Sequence, residues 1–433
     1  MRHSHVISGL IAFLAIASPG CGRQEAPPRI KTPVEITRGS FGTYMGGGLG
    51  LNTPLELWHR EIEHAKRIGI GIARFNADCW NIIEPRKGEY RWEPLDKIID
   101  LLHKSGIEIL FTFPISSSWN ADARVEKIRG RRVPVSHFPA KDVRDIEELS
   151  FRVASRYRDK ITYYEAWNEP DYPFFWRGDP SPSEYLEVLK RMHRGAKRGD
   201  PHSKIVVGGL AKPLKVRYFR KLLELGAADF FDIMNIHVYV RDLKKVRRSA
   251  TGIMRLLERS GAKKPLWVTE ISTTGGYYPT RDHDWEEKYK AAFLVQSYAI
   301  LFTEGVERIF WHNLRKCGRE LGYPKDLDFG LLDADFGIQP AYQAHGELAS
   351  RLMGSYEAES VFAGEGLRAY KFKKKASAVY IAWSEKGERP LELPVPSERA
   401  VCGDVLGNAI APDGGDTIRC RVGRSPVYVE ESR

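Results

Sequence analysis

The chain has 433 residues, room for one large domain and a smaller companion. Hydrophobic residues make up 42% and aromatic residues 11% of it, which excludes a disordered or fibrous protein. The net charge of +11 comes partly from basic runs such as Lys244-Lys245-Val246-Arg247-Arg248 and Lys373-Lys374-Lys375. No nucleic-acid-binding motif accompanies them, so a solvated face is expected and nucleic acid is not; an acidic polysaccharide or anionic surface is the alternative partner.

Arg2, His3 and His5 precede an apolar run from Val6 to Ala17, followed by Ser18-Pro19-Gly20-Cys21. The run is too short to span a bilayer, so residues 1–21 are expected to form a signal peptide and 22–38 a tether. Gly20-Cys21 resembles a bacterial lipoprotein site with Ser18 in place of the usual leucine. Two outcomes therefore stand, membrane attachment through a lipidated Cys21 or simple secretion.

From about residue 40 to 350, short apolar runs alternate with longer amphipathic ones, the pattern of βα units around a parallel sheet. The predicted strands are Phe41–Gly47, Ile70–Phe75, Ile107–Phe113, Ile161–Trp167, Lys204–Gly209, Asp232–Tyr239, Pro265–Ile271 and Val306–Trp311. The predicted helices between and after them are Pro54–Ile68, Pro94–Lys104, Asp142–Tyr157, Pro182–Arg198, Val216–Leu225, Leu243–Arg259, Trp285–Thr303 and Gln339–Leu352. Glycines stand where several helices should stop: Gly69, Gly106, Gly261 and Gly305. Strict alternation of eight strands and eight helices predicts a (β/α)8 TIM barrel over 39–353. Gly46-Gly47-Gly48 lacks the spacing and acidic residue of a dinucleotide site.

After Gly354 the runs shorten and turn residues multiply, predicting a small antiparallel β-sandwich over 354–433. Its strand candidates are Ala369–Phe372, Ala378–Trp383, Pro390–Pro394, Ala400–Val405, Thr417–Val422 and Val427–Glu430. Cys402 and Cys420 flank a turn-rich segment and form either a disulfide or two buried free thiols. With Cys79 and Cys317 they match no metal-site spacing.

Barrel enzymes carry catalytic groups at the C-terminal ends of strands. Those ends hold Arg74, Trp167-Asn168-Glu169-Pro170, His237-Val238-Tyr239, Thr269-Glu270 and Trp311-His312. Glycosidic cleavage needs two carboxyl groups flanking one bond, and strands four and seven face each other across a barrel. Glu169 and Glu270 are the expected catalytic pair, with Arg74 holding one glutamate ionised and Asn168 donating to a sugar hydroxyl. Glu165, deeper in the same strand as Glu169, is expected to be a structural carboxylate. Trp119, Tyr172 and Trp176 lie in loops on the active face and are candidates to stack on sugars. Lys127, Arg129, Arg131 and Arg132 point either to an anionic sugar or to solubility.

On these motifs the chain resembles the clan A glycoside hydrolases, whose acid/base follows strand four in Asn-Glu-Pro and whose nucleophile ends strand seven. Ile83-Glu84-Pro85-Arg86-Lys87-Gly88-Glu89-Tyr90-Arg91-Trp92 and Phe329-Gly330-Leu331-Leu332-Asp333 look like families 39 and 42. Family 39, the β-xylosidase and α-L-iduronidase group, is the nearer likeness because it also ends in a β-sandwich with a segment like Ser425-Pro426-Val427-Tyr428. The resemblance implies retaining double displacement: Glu270 attacks, and Glu169 protonates the leaving group and then activates water. It implies that His237 and Tyr239 orient the carboxylates and that Trp311 floors the subsite of the reacting sugar. A carbohydrate substrate is expected, and neither an organic cofactor nor a metal is demanded. A non-hydrolytic carbohydrate-binding protein and a transglycosidase are the alternatives, and nothing in the sequence fixes the oligomeric state.

Overall fold

The computed structural model describes residues 31–432, except 47–49, 77–79, 115, 123–126, 129–130, 133–136, 178–179, 274–282, 317–328, 365 and 413–415. Cys21, Cys79 and Cys317 therefore lie outside the described residues. Eight apolar runs form the strands β1 (Phe41–Tyr44), β2 (Ile72–Asn76), β3 (Glu108–Phe113) and β4 (Tyr163–Ala166), then β5 (Lys204–Val207), β6 (Met234–Tyr239), β7 (Leu266–Ser272) and β8 (Arg308–Trp311). They pair in the order β5-β4-β3-β2-β1-β8-β7-β6. The two ends of this row meet, because Val206 bridges Ile233, Leu210 bridges Ile236, and Val207 N donates to Ile233 O at 3.0 Å. The sheet thus closes as a TIM barrel.

The intervening amphipathic segments form α1 (Leu55–Arg67), α2 (Glu93–Lys104), α3 (Arg144–Arg156) and α4 (Pro182–Gly199), then α5 (Arg217–Glu224), α6 (Leu243–Arg259), α7 (His283–Thr303) and α8 (Pro340–Leu352). All but α7, which is buried on every side along its C-terminal part, turn one apolar stripe onto the strands; α2, for example, buries Leu95, Ile98, Ile99 and Leu102. Gly106 closes α2 at φ 69° and Gly305 follows α7 at φ 91°, a backbone region that side chains disfavour.

Alternation along the strands sets the barrel interior in layers. The lowest is apolar, with Ile72, Leu110, Val206, Ile233, Trp267 and Phe310 packed together and Tyr163 against them. Two residues further along the strands the interior turns polar: Arg74, Thr112, Glu165, Asn235 and Thr269 are all buried. This polar layer supports the mouth.

The C-terminal region is antiparallel. Its strands are β9 (Glu357–Gly364), β10 (Leu367–Lys373), β11 (Ser377–Ser384), β12 (Arg389–Pro396), β13 (Ala400–Gly403), β14 (Ala409–Ile410), β15 (Thr417–Val422) and β16 (Val427–Ser432). One sheet runs β9-β10-β11-β16-β13-β14 and the other pairs β12 with β15. Leu391, Leu393, Val395, Ile418, Val422 and Val429 fill the space between them. Cys402 and Cys420 are buried there as unbridged thiols.

The tether expected over 22–38 needs correction. Lys31–Pro33 is a strand that adds to the edge of the larger C-terminal sheet, with Thr32 opposite Ala358. Among the described residues no helix is long and apolar enough to cross a membrane.

Candidate active site

The site grows from one buried carboxylate. Glu165 accepts from Arg74 Nε at 2.6 Å, Arg74 Nη2 at 3.1 Å, Thr112 Oγ1 at 2.6 Å, Asn235 Nδ2 at 2.8 Å and Gly209 N at 3.1 Å. Five donors satisfy a charge that would otherwise be very costly so far from water. Glu165 is thus the structural carboxylate that its depth implies, and it fixes the plane of Arg74.

Arg74 carries that order up to the mouth. Its Nη1 donates to Glu270 Oε1 at 2.5 Å and its Nη2 to Asn168 Oδ1 at 2.7 Å. Burial pulls the guanidinium toward neutrality, but the Glu165 and Glu270 carboxylates outweigh it and push its pKa above the usual range. With Oδ1 of Asn168 occupied, the amide NH2 is the end left to donate.

Two backbone irregularities aim the glutamates. Trp167 and Glu169 adopt φ 73° and 47°, left-handed values that cost about 1–3 kcal/mol each in non-glycine residues. The sharp turn carries Glu169 over the mouth, where its N donates to Gly209 O at 3.1 Å. On β7 the register with β6 skips between Val268 and Glu270, a bulge. Thr269 N and Oγ1 both donate to Asn235 Oδ1, at 3.2 and 2.9 Å, so Thr269 and Glu270 both serve the interior.

Glu270 receives Tyr239 Oη on Oε2 at 2.5 Å, with His237 Nδ1 at 3.5 Å and His312 Nδ1 at 3.9 Å from the same oxygen. Glu169 Oε1 lies 2.8 Å from His237 Nδ1. One oxygen of each glutamate and a ring nitrogen of His237 all lie within 4.8 Å of one another. The environments push the two carboxyls apart. Burial, and then the neighbouring Glu270 and Asp171, raise Glu169 well above the usual carboxylate range against the pull of Arg74 and Lys212. Burial also opposes ionisation of Glu270, but His237, His312, Arg74 and the Tyr239 hydroxyl outweigh it and hold Glu270 well below that range. His237 is itself pulled down to about 3 by burial and His312 is lowered for the same reason, so at neutral pH both rings are neutral. There Arg74 and Tyr239 keep Glu270 ionised.

Glu169, His237 and Glu270 are also the group among the described residues whose ligand atoms lie close enough to hold a metal ion. The Arg74 guanidinium 2.5 Å from Glu270 already supplies the positive charge that a cation would bring, and the donor set suits proton transfer better.

Several expectations need correction. Trp311 is fully buried, its Nε1 donates to Phe329 O at 2.8 Å, and it belongs to the core under the helices. Phe310 points into the barrel, so alternation turns Trp311 outward and brings His312 to the mouth instead. His312 stands 5.3 Å from the Tyr44 ring and 6.1 Å from the Tyr239 ring. Trp176 is also buried, packed edge-on against Tyr185, and offers no face to a sugar. Trp119 is half-buried, its Nε1 donating to Glu84 O at 2.9 Å, with Lys87 above its ring. Tyr172 is exposed, with the Lys212 ammonium 4.7 Å from its ring centre. The side chains of Lys127, Arg129, Arg131 and Arg132 lie outside the described residues.

Thr269 and His312 stand at strand ends without an expected role, and Asn235 and Thr112, deeper in their strands, escape a search confined to those ends. Strand parity is the signal that finds them, since Asn235 lies two before His237 and His312 two after Phe310.

The family described as beta-galactosidase, glycoside hydrolase 42, matches residues 52–127. The family described as glycosyl hydrolase catalytic core matches residues 107–329, just over half of the chain. The chain belongs to the glycosyl hydrolase catalytic core family. Among curated proteins, beta-galactosidase LacA of Lactobacillus acidophilus is 33% identical over 57 residues, which are 13% of this chain and 8% of that protein. Beta-galactosidase BgaB of Geobacillus sp. is 32% identical over 56 residues, again 8% of its length. The chain thus matches a small fraction of these relatives. Solved structures share the fold over nearly the whole chain of this glycosyl hydrolase family member. A family 39 glycoside hydrolase from Bacteroides cellulosilyticus aligns with a TM-score of 0.71 at 19% identity, covering 92% of this chain and 81% of that one. A monomeric beta-xylosidase from Caulobacter crescentus gives 0.69 at 16% identity, covering 92% and 97%.

Proposed function

We propose that the protein is a retaining O-glycosidase acting by double displacement. The observation that carries this reading is a pair of glutamates with oxygens within 4.8 Å, one pushed below the usual carboxylate range by its neighbours and the other pushed above it by burial. Retaining enzymes set their carboxyl groups about 5–5.5 Å apart, and inverting ones about 6.5–9.5 Å apart to admit a water. In the first step Glu270 attacks the anomeric carbon while Glu169 gives its proton to the departing glycosidic oxygen. In the second, Glu169 takes a proton from water, whose oxygen displaces Glu270 from the sugar. Asn168 NH2 donates to a hydroxyl of the bound sugar, and Tyr239 releases Oε2 of Glu270 as its charge is spent.

The matched proteins include beta-galactosidases and a beta-xylosidase, so galactosides and xylosides head the substrate panel. A nitrophenyl glycoside screen identifies the sugar. The corresponding 2-deoxy-2-fluoro glycoside should then label the peptide holding Glu270, and the first-formed product should keep its anomeric configuration. A product of inverted configuration, or label on another residue, sinks the proposal. We place this activity outside the cytoplasm on residues 1–21; a Cys21→Ser variant that stays with the membrane fraction would remove lipid attachment.

A further inference from the structure

Beneath His237 lies a chain of hydrogen bonds whose donors and acceptors can be assigned one at a time. Glu165 faces Arg74 and is an acceptor only, so Asn235 must turn Nδ2 toward it at 2.8 Å. That points Asn235 Oδ1 at Thr269, whose N–H donates to it at 3.2 Å. Thr269 Oγ1 lies 2.9 Å from the same Oδ1. Two oxygens so close need a proton between them, and only the hydroxyl has one to give. With its hydrogen spent, Thr269 Oγ1 must accept from His237 Nε2 at 3.2 Å. A neutral imidazole that donates from Nε2 keeps a bare lone pair on Nδ1. Glu169 Oε1 stands 2.8 Å from that lone pair, so the proton between them belongs to Glu169.

We propose that Glu165, Asn235 and Thr269 form a relay that fixes the Nε2–H tautomer of His237 and so keeps the acid proton on Glu169. Its members touch no substrate; they are positioning residues acting through His237. The inference rests on the glycosidase reading for its purpose, but not for its geometry. The titratable and charged groups facing the pair are Glu270, Arg74 and the neutral His312 ring around His237, with Asp171 and Lys212 added around Glu169. Glu270 alone would draw a second proton onto the imidazole. Burial and the Arg74 charge oppose this and keep the ring neutral. The same arrangement serves both chemical steps. When Glu169 has given its proton to the leaving oxygen, its carboxylate faces the Nδ1 lone pair, which raises its basicity just as water must be deprotonated.

The relay makes a prediction that ordinary structural support does not. In uniformly 15N-labelled protein near neutral pH, long-range proton–nitrogen correlation should show His237, assigned by its loss in His237→Gln, as the Nε2–H tautomer. Thr269→Val removes the acceptor, frees the ring to donate from Nδ1 to the Glu169 carboxylate, and lowers the alkaline limb of kcat/KM on an aryl glycoside by about one pH unit, a tenfold loss of protonated acid above the limb. Thr269→Ser keeps the hydroxyl and should restore both signals. An Nδ1–H tautomer in the unaltered protein overturns the relay. So does a Thr269→Val enzyme that is slower at every pH with its limb unmoved. The tautomer is read without substrate, so a protein that cleaves no glycoside yet shows Nε2–H ends the functional reading and leaves the relay standing.

Discussion

Glu169 and Glu270 are the same side chain pushed in opposite directions from the usual carboxylate range by their surroundings. Glu270 receives a guanidinium and a phenol hydroxyl, whereas Glu169 faces an imidazole and sits near two other carboxyls. The expected pH–rate curve is a bell. Activity needs Glu270 ionised, so it falls on the acid side only as pH drops through a pKa held below the carboxylate range. It needs Glu169 protonated, so it falls on the alkaline side as pH rises through a pKa held above that range. Tyr239→Phe removes one donor to Glu270 and should move the acid limb to higher pH while leaving the alkaline limb in place; a rate loss with neither limb moved would contradict the assignment. Glu169→Ala should slow cleavage of poor leaving groups by about 10²–10⁴-fold, the usual size of acid–base assistance. Added azide should speed turnover of activated aryl glycosides in both variants but give different products. Glu169→Ala should yield a glycosyl azide of retained configuration, because Glu270 still forms the glycosyl-enzyme that azide displaces. Glu270→Ala should yield one of inverted configuration, because azide attacks in place of the missing carboxylate. An inverted azide from Glu169→Ala and a retained one from Glu270→Ala would exchange the two roles.

The elements explain how these side chains come to meet. Gly209, just past β5, has no side chain because His237 occupies the space, and a Cβ there would sit 2.0 Å from Nε2. Gly209→Ala must therefore push the imidazole off both Thr269 and Glu169. We expect at least a tenfold loss of kcat with a lower Tm, against little change for Gly252→Ala, where a Cβ meets nothing within 4 Å. Equal effects at the two sites would show that the contact does not matter. The barrel was legible because its strands are apolar and its helices are periodic, and the glutamates because each stands close to the C-terminal end of a strand. Parity was harder to read. Trp311 carries the more sugar-like surface, but Phe310 and His312 share the inward face. The bulge at Thr269 breaks period two locally, and no composition signal marks it. The strand Lys31–Pro33 is three residues long and depends on β9, more than three hundred residues away, so nothing near it announces pairing. Polar residues interrupt β9 itself, which hid it beside its more apolar neighbours.

At the scale of the whole molecule, the barrel and the sandwich are divided by topology but not by packing. Every residue of α7 from Ala291 to Thr303 is buried, so this part of the helix has no solvent face. A helix apolar all round must be covered on all sides. The strands cover one side and the larger C-terminal sheet another. The main core runs without a break from the barrel helices into Ala358, Phe372, Ile381, Trp383 and Tyr428. Polar links cross the same seam: Gln296 Nε2 donates to Arg424 O at 2.8 Å, Thr32 Oγ1 to Thr303 O at 2.6 Å, and Arg351 pairs with Glu430 at 2.9 Å. A cavity of about 420 Å³ in this seam, lined by Trp285, Tyr289, Phe293, Trp383 and Leu406, lies apart from the glutamates. Truncation after residue 353 would expose several large apolar side chains, each worth about 1.5–3 kcal/mol of burial, against a typical total stability of about 5–15 kcal/mol. The shortened chain should therefore be recovered aggregated, and the intact protein should unfold in one calorimetric transition with activity lost in step. A soluble 1–353 fragment that keeps the parent Tm and turnover would show that the sandwich is a detachable appendage and that α7 does not need it.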